Sequence, residues 1–180
     1  NSEHRPAGAT HLEIDASFTP PDTSGGDDQV SEGSGVGKIR GLWVIATDPA
    51  HSWINQGRFA RLREKLDFRV VQDMYTTTNT AQTADLILPA AGWGEKVGTV
   101  TTSKRRSSRQ RPFLPMQGQT RPDWWIVCEV ANRMGFGAAF SYDSPAQIFA
   151  EHAALSSFEN DGTRDFDLSG LADTNYDTLR

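Results

Sequence analysis

Three carboxylates, Asp48, Asp73 and Asp85, each stand at the edge of a short apolar run with hydroxyl or amide side chains close by. Asp48 belongs to Thr47-Asp48-Pro49, directly after the run 41–46, and Ser52 lies one turn further on. A turn of this kind can offer backbone N–H groups and short polar side chains to a nucleotide. It also suits an ordinary strand-to-helix connection, since Asp-Pro favours turns. Gln72 and Asp73 close a second run, 68–72. An acid at that place and spacing is what Rossmann-like sites use to accept hydrogen bonds from a ribose; its plain alternative is a solvated strand-end acid. No G-x-G-x-x-G follows the first run, which speaks against NAD or FAD held in the ordinary way. Asp85 precedes Leu86-Ile87-Leu88. A carboxylate held there can accept the two N–H donors of one guanine edge, or it can simply end a turn.

The stretch that follows is dense in polar groups: Trp93, the Glu95-Lys96 pair, two glycines, threonines, and then Lys104, Arg105, Arg106, Arg109 and Arg111 with serines between. Such a cluster draws anions, phosphate included, although a charge run is more often a solvated face. No aromatic residues are interleaved with it, which disfavours RNA. His4, His11, His51 and His152 show no ligand spacing for zinc, and no Ser-His-Asp set, Walker loop or paired-acid arrangement can be argued. From the residues alone, no catalytic engine and no metal site emerge.

The elements that must position these groups read as α/β. Residues 41–46 and 68–72 are apolar runs of strand length, and the run 86–88 stops at Pro89, which cannot donate to a ladder. A helix is predicted over 56–66, with Phe59, Leu62 and Leu66 on one face and charged residues on the other. Thr76 to Thr83 reads as a loop or short helix, with Thr76 and Thr78 as candidate ligands. Strand, helix and strand joined by short connections predict a parallel, Rossmann-like sheet with flanking helices. Pro122-Asp123 opens another helix through Trp124, Val127, Cys128, Ala131 and Met134 to a stop at Gly135, and Ser144-Pro145 opens a further one through Ile148 and Phe149.

Residues 1–37 hold seven acids and one arginine among Gly, Ser and Pro, and read as a flexible acidic linker or loop. Residues 38–160 read as one α/β domain and 161–180 as a C-terminal extension. The chain carries a formal net charge of −5, but residues 38–180 hold sixteen acids against seventeen basic residues, so a general nucleic-acid-binding surface is not expected. One cysteine excludes an internal disulfide, and Cys128, on a helix face with apolar neighbours, reads as a core thiol. A reducing, cytoplasmic setting and no membrane span are expected.

From about residue 38 to 171 the chain resembles the prokaryotic molybdopterin oxidoreductases, and within them the cytoplasmic assimilatory nitrate reductases. The segments that carry the resemblance are IRGLWVIATDP, FRVVQD, TADLILPAAGWGEKVGTVTTSKRRSSRQRPFLP, GQTRPDWWIVCEVANRMGFG, FAEHAALSSFENDG and SGLAD. The resemblance implies a molybdenum bis(molybdopterin guanine dinucleotide) enzyme that reduces nitrate to nitrite by oxygen-atom transfer. This segment would then be one of two similar domains, each holding the nucleotide end of one pterin dinucleotide. Thr47, Asp48, Pro49 and Ser52 would line that dinucleotide, and Gln72, Asp73, the Thr76–Thr80 loop through Thr76 and Thr78, and Asp85 would hold its ribose and guanine.

The metal-ligating cysteine and a 4Fe-4S cluster would lie in an upstream region outside this chain. Partners would be the rest of the nitrate reductase chain and an electron donor, which could be a ferredoxin, a flavodoxin or an NADH-linked subunit. A formate dehydrogenase or other oxidoreductase of the same superfamily is the alternative within enzymes. A non-catalytic subunit that keeps the fold, or an interaction module, is the alternative outside them.

Overall fold

The computed structural model describes residues 39–104 and 106–179, so the linker reading of residues 1–37 lies outside the described residues. The described residues divide into two compact units at Ala90/Ala91. That boundary falls inside the stretch 38–160 read above as a single domain.

The first unit is a parallel sheet with helical connections. Strand β1 (Gly41–Ile45) leads through a one-turn helix α1 (Pro49–Ser52) and helix α2 (Gln56–Arg63) to β2 (Phe68–Asp73). A 3-10 turn (Ala81–Thr83) then precedes β3 (Leu86–Pro89). The strand order is β1-β2-β3, both pairings parallel. Val44, Val71 and Ile87 occupy one row of the register across all three strands. Their face packs with Leu42, Ala81 and Ala84 into the core of the unit. Val71 is 2% exposed, so truncation to alanine there would cost about 2 kcal/mol.

Helix α2 starts at Asn55, whose Oδ1 accepts from the Arg58 N–H at 2.9 Å. It buries Phe59, which stacks on Trp53 at 5.1 Å between ring centroids. The helix ends at Arg63 rather than at 66. Lys65 and Leu66 donate three residues back, to Leu62 and Arg63, and the N–H groups of Asp67 and Phe68 then reach the Arg40 carbonyl. This tight exit seats Phe68 opposite Gly41, the first pair of the β1–β2 register. Pro89 closes β3 as its last residue, paired with Asp73.

The second unit holds an antiparallel hairpin, β4 (Gly98–Thr101) with β5 (Ser107–Gln110), and two helices, α3 (Asp123–Arg133) and α4 (Pro145–Ser157). Helix α3 buries Ile126, Cys128 and Ala131, and its exit at Gly135 takes φ +92°, a value that favours glycine. Met134, placed on the buried face by its spacing, is 60% exposed at the helix end. Helix α4 buries Phe149, Ala153 and Ser156. The last residues are part of this unit's packing: the Tyr176 ring lies 5.8 Å from that of Phe149. Among the described residues no helix is long and apolar enough to cross a membrane.

Candidate functional site

Parallel sheets bind ligands beyond the carboxyl ends of their strands, and in this unit that edge collects short polar side chains around two acids. β1 ends at Ile45, and Ala46 turns the chain with φ +52°, a conformation costing a non-glycine residue about 1–2 kcal/mol. The Ala46 N–H donates to the Gln72 carbonyl at 2.9 Å, which anchors the turn to β2. Two residues on, Asp48 Oδ1 accepts from both the backbone N–H (2.9 Å) and the hydroxyl (2.6 Å) of Thr80. Thr80, 4% exposed, accepts in turn from the Ala50 N–H at 3.0 Å. At the end of β2, the Asp73 carboxylate accepts from the Tyr75 N–H at 3.2 Å and from the Thr78 hydroxyl at 3.4 Å. Thr78 Oγ1 also accepts from the Ala81 N–H at 3.3 Å, so the 76–83 loop is pinned to both strand ends.

These contacts set the charge of the site. The Thr80 hydroxyl holds the Asp48 carboxyl below its usual value, outweighing the opposing effect of desolvation. Backbone N–H groups of Thr80 and Asn79 and the nearby His51 act in the same direction. The edge therefore presents carboxylate and hydroxyl acceptors, and what such a surface takes is hydrogen-bond donors such as sugar hydroxyls and base amino or imino groups.

The predicted residues divide clearly. Asp48, Pro49, Ser52, Gln72, Asp73, Thr76 and Thr78 belong to this edge or the loops leaving it. Thr47 is an exposed residue of the turn, Pro49 is the first residue of α1, and the Ser52 hydroxyl donates to the Asp48 carbonyl at 3.0 Å. Gln72 is fully buried in the sheet. Asp85 is not brought to the others. It precedes β3 in a parallel sheet and so lies at the amino ends of the strands, roughly 13 Å from the Asp73 row at 3.3 Å per residue. Its carboxylate receives three hydrogen bonds from Arg69: the backbone N–H (2.7 Å) and Nε (3.0 Å) to Oδ2, and Nη2 (2.8 Å) to Oδ1. The two-donor edge expected of a guanine is supplied there by the chain's own guanidinium.

The cationic cluster divides as well. Ser107, Ser108 and Arg109 are hairpin residues, and Arg109 Nη1 bonds the Asp177 carboxylate while its guanidinium lies 4.8 Å from the Tyr176 ring centroid. Arg111 Nη2 donates to the Leu179 carbonyl at 2.8 Å. These two arginines hold the C-terminal segment. Thr80 entered the sequence reading only as the last residue of the Thr76–Thr80 loop, with no role of its own. Its only signal was its place at the end of a threonine-rich loop, and its partner Asp48 lies 32 positions earlier.

The Molybdopterin oxidoreductase family profile matches residues 3–133. The chain is 45% identical over 139 residues to a nitrate reductase of Klebsiella oxytoca, covering 77% of this chain and 16% of that protein. It is 43% identical over 148 residues to a nitrate reductase of Shewanella frigidimarina, covering 79% and 16%. To subunit alpha of the F420-dependent formate dehydrogenase 2 of Methanococcus maripaludis it is 39% identical over 118 residues, covering 66% and 17%. The chain thus spans about a sixth of the length of these relatives. A parallel sheet with a polar carboxyl edge, inside a sequence matched by this profile over most of its length, establishes that the chain belongs to the molybdopterin oxidoreductase family.

Proposed function

We propose that this chain is the segment of a larger molybdenum oxidoreductase that holds the nucleotide end of a molybdopterin guanine dinucleotide, and that the whole protein reduces nitrate to nitrite. The observation that carries the first half is the acceptor-rich carboxyl edge of the sheet. Asp48 and Asp73, each fixed by threonine hydroxyls, match the donors of a ribose and a guanine. Thr47, Pro49, Ser52, Thr76 and Thr78 would complete the lining; the Gln72 side chain, fully buried in the sheet, is not exposed to it. When bound, the molybdenum centre supplies the oxygen-atom transfer; this chain's residues contribute binding and orientation. The residues that hold the metal and a 4Fe-4S cluster would lie in other parts of the protein. So would the docking site for an electron donor, in a cytoplasmic enzyme.

The preference for nitrate rests on the two nitrate reductases at 45% and 43% identity. The 39% identity to a formate dehydrogenase subunit makes formate oxidation the second reading. Two measurements test the proposal. GDP titrated into the 180-residue chain should change tryptophan fluorescence saturably, since Trp43 and Trp53 are in the unit that carries the edge. No response at millimolar GDP would remove the nucleotide reading. The full-length protein, assayed with reduced viologen and nitrate and separately with formate and oxidised viologen, should reduce nitrate. Turnover of formate alone would replace the substrate assignment.

A further inference from the structure

Between Arg111 and Arg121 the second unit carries nine residues without a charge, and residues 112–119 are all exposed. Apolar side chains stand out along this loop: Phe113, Leu114 and Met116 are 76, 53 and 47% exposed. Trp93, on the segment that the loop pairs with, is 61% exposed. The backbone beneath these side chains is fixed. The N–H groups of Phe113 and Leu114 both donate to the Gly94 carbonyl at 2.9 Å, Gln110 Nε2 bonds the Trp93 carbonyl, and the Thr120 N–H reaches the Gln117 carbonyl at 3.0 Å. Pro112 and Pro115 lock two further φ angles. A loop held in this way loses little further backbone entropy on binding, which is what pre-organises a contact surface. One exposed leucine needs no explanation, but two aromatic rings, a leucine and a methionine on a fixed, uncharged loop have the composition of an interface core.

We infer that Trp93, Phe113, Leu114 and Met116 form the docking surface for another part of the same polypeptide, an apolar face outside these 180 residues. This rests on the chain being a segment of a larger protein, and not on the nucleotide or nitrate reading. The chain spans about a sixth of the length of its relatives, which leaves most of such a protein to supply the cover. Area separates this occupant from a second copy of the chain. At about 150–250 Å² for each aromatic side chain and less for the others, the four expose roughly 400–500 Å² together. A stable dimer takes about 800 Å² from each partner, so two copies meeting here alone would fall short. A segment of the same polypeptide needs less area, because the linking chain already holds it at an effective concentration on the order of millimolar.

Hydroxyl-radical labelling of the full-length protein, read residue by residue by mass spectrometry in buffer and in urea, tests the inference. Light scattering fixes the concentration at which the protein is a single chain. There the four side chains should label about tenfold more slowly in buffer than in urea, as buried Phe149 does, because an interface core excludes water. Leu114→Asp places a charge in the contact, so Phe113 and Met116 should lose most of that protection while Phe149 keeps its own. Where the variant unfolds and exposes Phe149 too, the parent rates alone decide. Labelling of Phe113 and Met116 in the parent within about twofold of the urea rates would overturn the inference. So would protection that Leu114→Asp leaves intact, or protection seen only in an oligomer, which would assign the surface to a second copy. An intact mass of only these 180 residues would remove the segment reading, and this inference with it.

Discussion

Arg69 and Asp85 close on each other at the amino ends of β2 and β3. Three donors of Arg69 reach the two oxygens of Asp85 at 2.7, 2.8 and 3.0 Å, and the Asp85 N–H returns a bond of 2.9 Å to the Arg69 carbonyl. The pair ties the second residue of β2 to the residue just before β3, two parallel strands with no hairpin to fix their register. At the far end of the same strands, Ala90 N–H donates to the Asp73 carbonyl at 3.0 Å. One acid therefore sets where β3 starts, and the other closes the end where the ligand is proposed to bind.

Replacing Asp85 by alanine should lower the urea midpoint of the chain, because three donors of Arg69 lose their acceptor. The midpoint of the GDP response should stay where it is. An Arg69→Ala, Asp85→Ala double variant should lose less than the sum of the two single losses, as partners in one interaction do. A weakened GDP response with an unchanged urea midpoint would return Asp85 to the ligand site.

Acid should destabilise the first unit over a defined window. Asp85 is held below the usual carboxylate value of 3.8, first by the Arg69 side-chain bond, and Asp48 likewise by the Thr80 hydroxyl. Groups depressed in the folded state bind fewer protons there than in the unfolded chain. Their contribution is complete above the unfolded value and is lost as pH falls through the folded ones. Urea midpoints should therefore be flat from about pH 8 to pH 5 and fall below about pH 4. The fall should be shallower in Asp85→Ala.

The three strands of the first unit were legible because Val, Ile and Leu run between strong breakers. Residues 41–46, 68–72 and 86–88 could be read to within a residue of their observed ends. The early end of α2 was not legible, because Leu66 fits the apolar face and only the need to seat Phe68 opposite Gly41 ends the helix before it. Asp48 and Asp73 could be read as strand-end acids. Asp85 was grouped with them because adjacency to a strand does not say which end of the sheet a residue occupies. The β4–β5 hairpin was hidden by its composition: Ser107, Ser108 and Arg109 of β5 read as part of a charge run, more often a solvated face. They pair with Thr99 to Thr101 of β4, and Tyr176, 77 positions from Thr99, contacts the Thr99–Arg109 pair.

Gly94 tests how the second unit tolerates a methyl group. A Cβ built there would lie 2.7 Å from Phe113 Cζ and 3.1 Å from both adjacent ring carbons. The Phe113 and Leu114 N–H groups both donate to the Gly94 carbonyl at 2.9 Å, so the backbone is held while the ring, 76% exposed, can swing outward. Gly94→Ala should thus cost only about 1 kcal/mol, the low end of overpacking. Combined with Phe113→Ala, it should cost nothing further. Thermal unfolding of the single and double variants checks this, and a loss above about 3 kcal/mol would mean that the ring cannot move.

Tyr176 carries the packing of the C-terminal segment, and its contributions can be separated. Its hydroxyl accepts from Thr99 Oγ1 at 3.0 Å, its ring lies under the Arg109 guanidinium, and its edge meets Phe149. Its carbonyl and the neighbouring Asp177 carboxylate both receive Arg109 Nη1. Tyr176→Phe removes only the hydroxyl and should cost about 1 kcal/mol. Tyr176→Ala also removes the ring from Phe149 and Arg109, and should cost about 3–5 kcal/mol of the second unit's stability. Because the segment 175–179 is held chiefly by these contacts and by Arg111, the alanine variant should release it as a site of rapid proteolysis. The phenylalanine variant, which keeps the ring, should remain as resistant as the parent chain. Equal protection of the alanine variant would show that the backbone bonds from Arg109 and Arg111 hold the segment without the ring.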